Sequence, residues 1–292
     1  MFVNKNIDGF NMSLNLGDRG ISNVLYQKGY REKAFMSILK RTIYEGMVCM
    51  DLGANIGFTT LPMLRNVGNS GKVYAIEPDP RSYSLLRTNV GQNNFNDRCE
   101  FTKCIISNET VEKEFWLSSQ PNLSSVQKTP KSTKKINIQS FTLEDFLKDR
   151  NYVNFIKMDV EGHEVKILEG GLEYFKKNRG ATNILLEVHP KFYNDENSLA
   201  DILEKYFQIG FNAKYTVSTP VYQPRLFAEA GYTPVEEVYT DGFKRGIYKD
   251  IKNDDLIKFA CFENEEPYYR DAQEGHKISK KIVRSFLISR EK

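Results

Sequence analysis

Four acidic residues close short apolar runs, and each is followed by a turn. Asp51 ends Val48-Cys49-Met50 and leads into Leu52-Gly53-Ala54-Asn55-Ile56-Gly57. Glu77 ends Lys72-Val73-Tyr74-Ala75-Ile76 and leads into Pro78-Asp79. Asp159 ends Phe155-Ile156-Lys157-Met158 and leads into Val160-Glu161-Gly162. Glu187 closes Ile184-Leu185-Leu186, with His189 two residues on. Acids at the carboxyl ends of parallel strands face the crevice in which open α/β sheets bind ligands.

The residue types narrow the ligand. A carboxylate such as Glu77 accepts two hydrogen bonds, which suits a ribose diol. Gly53 and Gly57 let the backbone bend tightly and approach a ligand. Their spacing is Gly-x-x-x-Gly, not the G-x-G-x-x-G that seats a pyrophosphate on a helix N-terminus. Asp51, just before the turn, repels phosphate and favours a cation. S-adenosylmethionine has a sulfonium, an ammonium and a ribose but no phosphate, and it meets these demands. The bland alternative is a buried strand and an ordinary turn. The second acid at its interval argues against that.

The same crevice offers groups for proton transfer. His189, one of three histidines, is the first candidate for a base that takes a proton from a hydroxyl acceptor. Asp159 and Glu161 are the second. Glu164 reads equally well as a helix-start charge. His163 opens the same helix and is expected to face solvent. Two acids one residue apart, Asp159 and Glu161, are too weak a signal for a divalent metal, so no metal is expected.

These residues need a scaffold. Strands are expected at 47–51, 72–77, 99–106, 153–158, 183–188, 208–217 and 256–263. Helices are expected at 57–67, 80–93, 142–149, 164–177 and 196–206. Another helix at 31–45 has Phe35, Ile38, Leu39, Thr42 and Ile43 on one face and ends at Gly46. Alternating strands and helices imply a mostly parallel sheet covered on both faces. Residues 117–137 read as a basic loop with Lys128, Lys131, Lys134 and Lys135. Residues 218–255 mix Pro220, Pro224 and Gly231 with Tyr222, Phe227, Tyr239, Phe243 and Tyr248, and suggest a functional cover.

A chain of 292 residues with net charge +3 is one large domain with additions, and nucleic acid is not expected as its main partner. Cys49, Cys99, Cys104 and Cys261 show no C-x-x-C pair and read as free thiols in a reducing compartment. Met1 to Asn6 has no basic region followed by an apolar segment, and no window spans a membrane. A cytoplasmic location is expected.

Together, Asp51-Leu-Gly-Ala-Asn-Ile-Gly57, Ala75-Ile-Glu-Pro-Asp79, Lys157-Met-Asp-Val-Glu-Gly-His-Glu164 and Glu187-Val-His189 resemble the FkbM family of S-adenosylmethionine-dependent methyltransferases. The likeness runs from about Ile21 to His189 and more weakly to Glu263. It implies a class I, Rossmann-like fold: a seven-stranded, mostly parallel sheet with one antiparallel edge strand, flanked by helices. It also implies O-methylation of a hydroxyl on a sugar, glycolipid or small metabolite. In this resemblance Asp51, Gly53, Asn55 and Gly57 form the first cofactor loop. Glu77 takes the ribose, with Pro78 shaping the turn. Cys104, Ile105 and Ile106 lie near adenine. Asp159 and Glu161 face the methionine portion or the reacting centre, and Glu32 is aligned with the methionine ammonium, though a solvated helix-start glutamate fits Glu32 equally well.

The rival readings are a nucleic-acid or protein methyltransferase, disfavoured by the modest charge, and a non-catalytic cofactor-binding module. The organisation expected is an N-terminal extension, 1–30, a methyltransferase domain, 31–265, with its insertion 218–255, and a basic tail, 266–292. Tyr222 and Arg225 of the insertion are expected to meet a small-molecule or glycan acceptor. In the tail, Ile278, Ile282 and Phe286 fall at helical spacing beside Lys277, Lys280, Lys281, Arg284 and Arg290. An amphipathic helix is expected, docked on the domain or pairing subunits as a homo-oligomer in preference to lying on a membrane.

Overall fold

Short runs of branched and aromatic residues bounded by glycine and acid build the central sheet. The structure, a computed structural model, describes residues 1–219, 223–240, 242–261 and 283–291. An N-terminal hairpin, β1 (Phe2–Ile7) and β2 (Phe10–Asn15), precedes two helices, α1 (Ile21–Lys28) and α2 (Lys33–Thr42). Strand β3 (Val48–Leu52) is followed by α3 (Thr60–Val67), and β4 (Lys72–Ile76) by α4 (Pro80–Gln92). Helix α4 starts cleanly because Asp79 accepts the Arg81 N–H at 2.9 Å and Pro80 has no N–H to leave unpaired.

Next come β5 (Cys99–Thr102), β6 (Ile105–Ile106), β7 (Glu112–Ser118), β8 (Ser132–Phe141) and α5 (Leu143–Leu147). Strand β9 (Phe155–Met158) runs to α6 (Glu164–Lys177), and β10 (Thr182–Val188) to α7 (Leu199–Gln208). The chain continues through β11 (Asn212–Val217), α8 (Gln223–Glu229), β12 (Glu236–Thr240), β13 (Phe243–Lys249) and α9 (Asn253–Ala260), and β14 (Arg284–Arg290) comes last.

The main sheet has nine strands among the described residues, in the order β12-β13-β11-β14-β10-β9-β3-β4-β5. From β10 to β5 every pairing is parallel. The carboxyl ends carrying Asp51, Glu77, Asp159 and Glu187 therefore share one edge. Strand β14 runs antiparallel between β10 and β11. Apolar side chains fill both faces. On one, Met50, Ile156 and Ile184 meet Phe175 and Phe211. On the other, Cys49, Phe155, Leu185 and Leu287 meet Ile38 and Leu64.

Several expectations need correction. The antiparallel strand is inside the sheet, not at its edge, and the β12–β13 hairpin extends the sheet beyond seven strands. Residues 284–290 are strand, not helix, and the rest of the expected tail helix lies outside the described residues. Residues 256–263 were expected as strand, but Asn253–Ala260 is helix. Leu256, Phe259 and Ala260 are buried at helical spacing, and Asp254 and Asp255 suit the first turn. The basic loop is confined to residues 119–131, because Lys134 and Lys135 lie in β8 opposite Leu117 and Trp116. Within the 218–255 segment, some of the aromatic residues pack inward. Phe227 stacks on Tyr248 with centroids 4.0 Å apart and packs against Phe259. All four cysteines are free, three of them buried.

Candidate cofactor and acceptor site

The first strand's turn is built around a buried ion pair. Asp51 and Lys157 are register partners on β3 and β9. Lys157 Nζ lies 3.1 Å from Asp51 Oδ1 and donates to the carbonyls of Gly53 (2.8 Å) and Leu52 (3.2 Å). The ammonium thus makes two hydrogen bonds and one ion pair with buried protein oxygens. The other oxygen of Asp51 accepts from Thr59 and Thr60 hydroxyls at 2.9 and 2.7 Å. Burial opposes the charge on Lys157, but Asp51 and Asp159 hold it protonated.

Gly53 is obligatory here. Its φ is +73°, and a Cβ would stand 1.9 Å from the Asp159 carbonyl oxygen. The ends of β3 and β9 thus touch. Three non-glycine residues with left-handed backbone, Glu32, Asn55 and Glu161, surround the same space. Such strain gathers at functional sites.

That space is a cavity of about 930 Å³ counted to its open mouth, within the range of small-molecule sites. Gly53, Asn55, Glu77 and Pro78 line one side, and Cys104, Ile105, Ile106 and Phe115 form an apolar wall. Arg31, Glu32, Lys157, Asp159, Glu161 and His163 complete it, with Asn122, Ser124 and Val126 from the 119–131 loop. Glu77 accepts the backbone N–H groups of Asn55 (2.7 Å) and Asp79 (2.8 Å). Burial nevertheless pushes its carboxyl up to about 8.

A second cavity adjoins the first. Arg31 and Glu32, themselves an ion pair, line both. Its remaining walls include Lys28, Glu187, Val217, Thr240, Arg245 and Ser285. Strand β14 and the β12–β13 hairpin thereby help shape the site.

Behind both cavities stands His189. Its Nδ1 is 2.8 Å from Glu164 Oε1, and its Nε2 is 3.6 Å from Glu161 Oε2. Glu164 is fully buried and also accepts from Tyr193 Oη (2.6 Å) and the Gly162 N–H (3.0 Å). Burial works against charge on the imidazole, but Glu164, Glu161 and Asp159 raise it to about 10. Burial likewise raises the Glu161 carboxyl above its usual range.

The structure brings together Glu32, Gly53, Asn55, Glu77, Pro78, Cys104, Ile105, Asp159 and Glu161. It does not bring Asp51 or Gly57 to the cavity wall: Asp51 is fully buried beneath the turn. His189 also stays off the wall of the first cavity. The neighbouring carboxylates favour its protonated form. His163 does not face solvent. It is buried, bonded to Ser107 Oγ at 3.0 Å, and lines the cavity. Tyr222 lies outside the described residues. Arg225 is exposed on α8, paired with Glu229 at 2.9 Å, and is absent from both cavity walls. Sequence reasoning missed Arg31, Lys157, Phe115 and the 119–131 loop. Only Lys157 gave a signal, as a lone cation inside an apolar strand.

The cavity suits S-adenosylmethionine. Once ionised, Glu77 is an acceptor-only carboxylate that matches a ribose diol, the apolar wall matches adenine, and Asp159 and Glu32 match the cationic methionine end. Among the described residues the one buried ammonium, Lys157, is engaged by the protein oxygens of Leu52, Gly53 and Asp51.

Fold and site together define a class I methyltransferase. Residues 51–215, more than half of the chain, match the model of the methyltransferase FkbM domain. The chain belongs to this family of S-adenosylmethionine-dependent methyltransferases. Similar solved structures include an FkbM methyltransferase from Methylobacillus flagellatus, 15% identical over 70% of this chain and 44% of that one, TM-score 0.39. A SAM-dependent O-methyltransferase from Thermotoga maritima is 11% identical over 99% of this chain and 78% of its own, TM-score 0.41. A precorrin-6y C5,15-methyltransferase from Geobacter metallireducens is 9% identical over 98% and 96%, TM-score 0.44. The chain spans less than half the length of the Methylobacillus protein. No protein with a curated description matches it. Among the described residues no helix is long and apolar enough to cross a membrane.

Proposed function

We propose that the protein methylates a hydroxyl oxygen of a sugar, glycolipid or small metabolite. The cofactor occupies the first cavity, and the acceptor enters through the second. The observation that carries this reading is Glu161. A non-glycine residue held at φ +50°, it lines the first cavity and lies within 3.6 Å of His189. A neutral hydroxyl is a poor nucleophile, and a carboxylate whose proton affinity is raised by burial is a better base than a solvated one. Glu161 accepts the acceptor's proton, while His189 and Glu164 fix its surroundings.

When bound, S-adenosylmethionine supplies an electrophilic methyl on its sulfonium, whose electron pair returns to sulfur as the C–O bond forms. The protein's part is position and charge. Placing the hydroxyl in line removes up to roughly 7–11 kcal/mol of the barrier in favourable cases, and the base adds about 100- to 10,000-fold. The 119–131 loop closes one side of the cofactor cavity, and the Arg31–Glu32 pair separates it from the second cavity.

Transfer of labelled methyl from S-adenosylmethionine to a panel of sugars, glycolipids and phenols tests the reading. The expected result is base-stable label on one class of hydroxyl, lost in Glu161→Gln with cofactor affinity retained. Label on nitrogen or carbon, or full turnover in Glu161→Gln, contradicts it.

A further inference from the structure

We propose that Asp159, Glu187 and His189 form a binding site for one divalent cation, set between the two cavities. One donor atom from each lies within 4.8 Å of the other two. Asp159 lines the first cavity and Glu187 the second, so a cation held here faces both. From the sequence, Asp159 and Glu161 were too weak a signal for a metal; the fold sets Asp159 beside the end of the neighbouring strand.

The side chains are prepared for a ligand and not for each other. Glu187 is 8% exposed, and its carboxylate forms no hydrogen bond or ion pair among the described residues. A buried carboxylate without a partner is costly unless something compensates it. The Asp159 carboxylate likewise has no hydrogen bond or ion pair among the described residues. His189 gives Nδ1 to Glu164, which leaves Nε2, 3.6 Å from Glu161 Oε2, as the ligating atom, and binding of the cation displaces its proton. An imidazole whose far nitrogen donates to a buried carboxylate is the usual support of a metal-binding histidine. Tyr193 and the Gly162 N–H lock that carboxylate in turn. Four carboxylates, Asp159, Glu161, Glu164 and Glu187, converge on this corner. Of the cations around it, Arg31 is paired with Glu32 and Lys157 with Asp51, and Lys28 and Arg245 line the second cavity.

Two carboxylates and one imidazole are a mixed oxygen–nitrogen set. Oxygen donors suit Mg²⁺ and Mn²⁺, and the imidazole shifts preference toward Mn²⁺ or Zn²⁺. Adjacent ligands about 2.2 Å from an ion stand about 3 Å apart, so the donors, within 4.8 Å of one another here, must draw together on binding. Beside an acceptor hydroxyl, such a cation would act as a Lewis acid and favour the oxyanion. That role rests on the O-methylation reading; binding of the cation does not.

The test uses the full chain stripped by chelator, without cofactor or acceptor. Mn²⁺ is titrated by calorimetry and by loss of its free-ion electron paramagnetic resonance signal, with Mg²⁺ and Zn²⁺ in parallel. One ion per chain is expected, with affinity lowered at least 10-fold in Glu187→Gln and in Asp159→Asn. Glu187→Gln removes no hydrogen bond or ion pair among the described residues, so its thermal melt should match the parent. Absence of stoichiometric binding by all three ions, or equal affinity in both variants, overturns the site. S-adenosylmethionine titration of the same samples reports separately on the cofactor cavity.

Discussion

Lys157 on β9 faces Asp51 on the adjacent β3 across 3.1 Å, and neither side chain reaches solvent. The pair ties the carbonyls of Leu52 and Gly53 to the next strand and fixes the turn that carries Asn55. Removing one partner of a buried pair leaves the other unpaired, at about 3–5 kcal/mol. Lys157→Met should cost that much in urea denaturation, and adding Asp51→Asn should recover part of it. A cost under about 1 kcal/mol would mean that water or a rearrangement satisfies Asp51.

Gly53→Ala should fail for a steric reason. The new methyl meets a backbone oxygen at 1.9 Å, and the backbone sits at φ +73°. Neither β3 nor β9 can retreat without breaking the parallel pairing that joins them. Loss of several kcal/mol of stability, or recovery only as inclusion bodies, is expected. A soluble variant that melts with the parent would show that the two strand ends are further apart.

The C-terminal strand should be indispensable. Phe286, Leu287 and Ile288 are fully buried, and β14 lies between β10 and β11. Deleting residues 283–292 would open the sheet's centre and expose two strand edges. Circular dichroism should show no cooperative melt. A folded, monomeric truncation product would contradict the strand's place.

His163 should make the protein acid-sensitive. Burial lowers its imidazole to about 4, against about 6.5 in an unfolded chain. The unfolded state therefore takes up a proton first as pH falls. The neutral ring's contribution is complete above about 6.5 and declines by about 1.4 kcal/mol per unit down to about 4. Denaturation midpoints of His163→Gln, compared with the parent between pH 7 and 4.5, should lose that part of the slope. Parallel profiles would mean that the ring is already solvated.

The cofactor half of the site was legible because parallel strands announce themselves twice, by a continuous apolar run and by the acid that ends it. Glu77 and Asp159 stand where that pattern puts them. The C-terminal strand was not legible for a related reason. A strand buried on both faces has no alternation, so Ile282 and Phe286 matched a helical repeat equally well. Flanking lysines and arginines strengthened the wrong reading. Helix α9 failed in the opposite direction, because a short apolar run does not distinguish strand from helix. His189 was found by its position, but its chemistry is set by Glu164, 25 residues earlier, and by Tyr193. No local pattern encodes that. Arg225 stands exposed on α8 beside Glu229, one helical turn on, and off both cavity walls, a placement no local pattern encodes.

The claim that the first cavity holds S-adenosylmethionine through Glu77 is tested most directly by calorimetric titration from pH 6 to 9. A ribose diol donates to the ionised carboxylate, and Glu77 loses its proton only near pH 8. Affinity should rise up to about 10-fold per unit as pH climbs toward 8 and then level, with one cofactor per chain. Glu77→Gln should bind about 30- to 150-fold more weakly above pH 8, from the loss of about 2–3 kcal/mol of charge-assisted bonding, with a flat profile. Absence of binding by the parent, or equal affinity and slope in Glu77→Gln, would contradict the assignment.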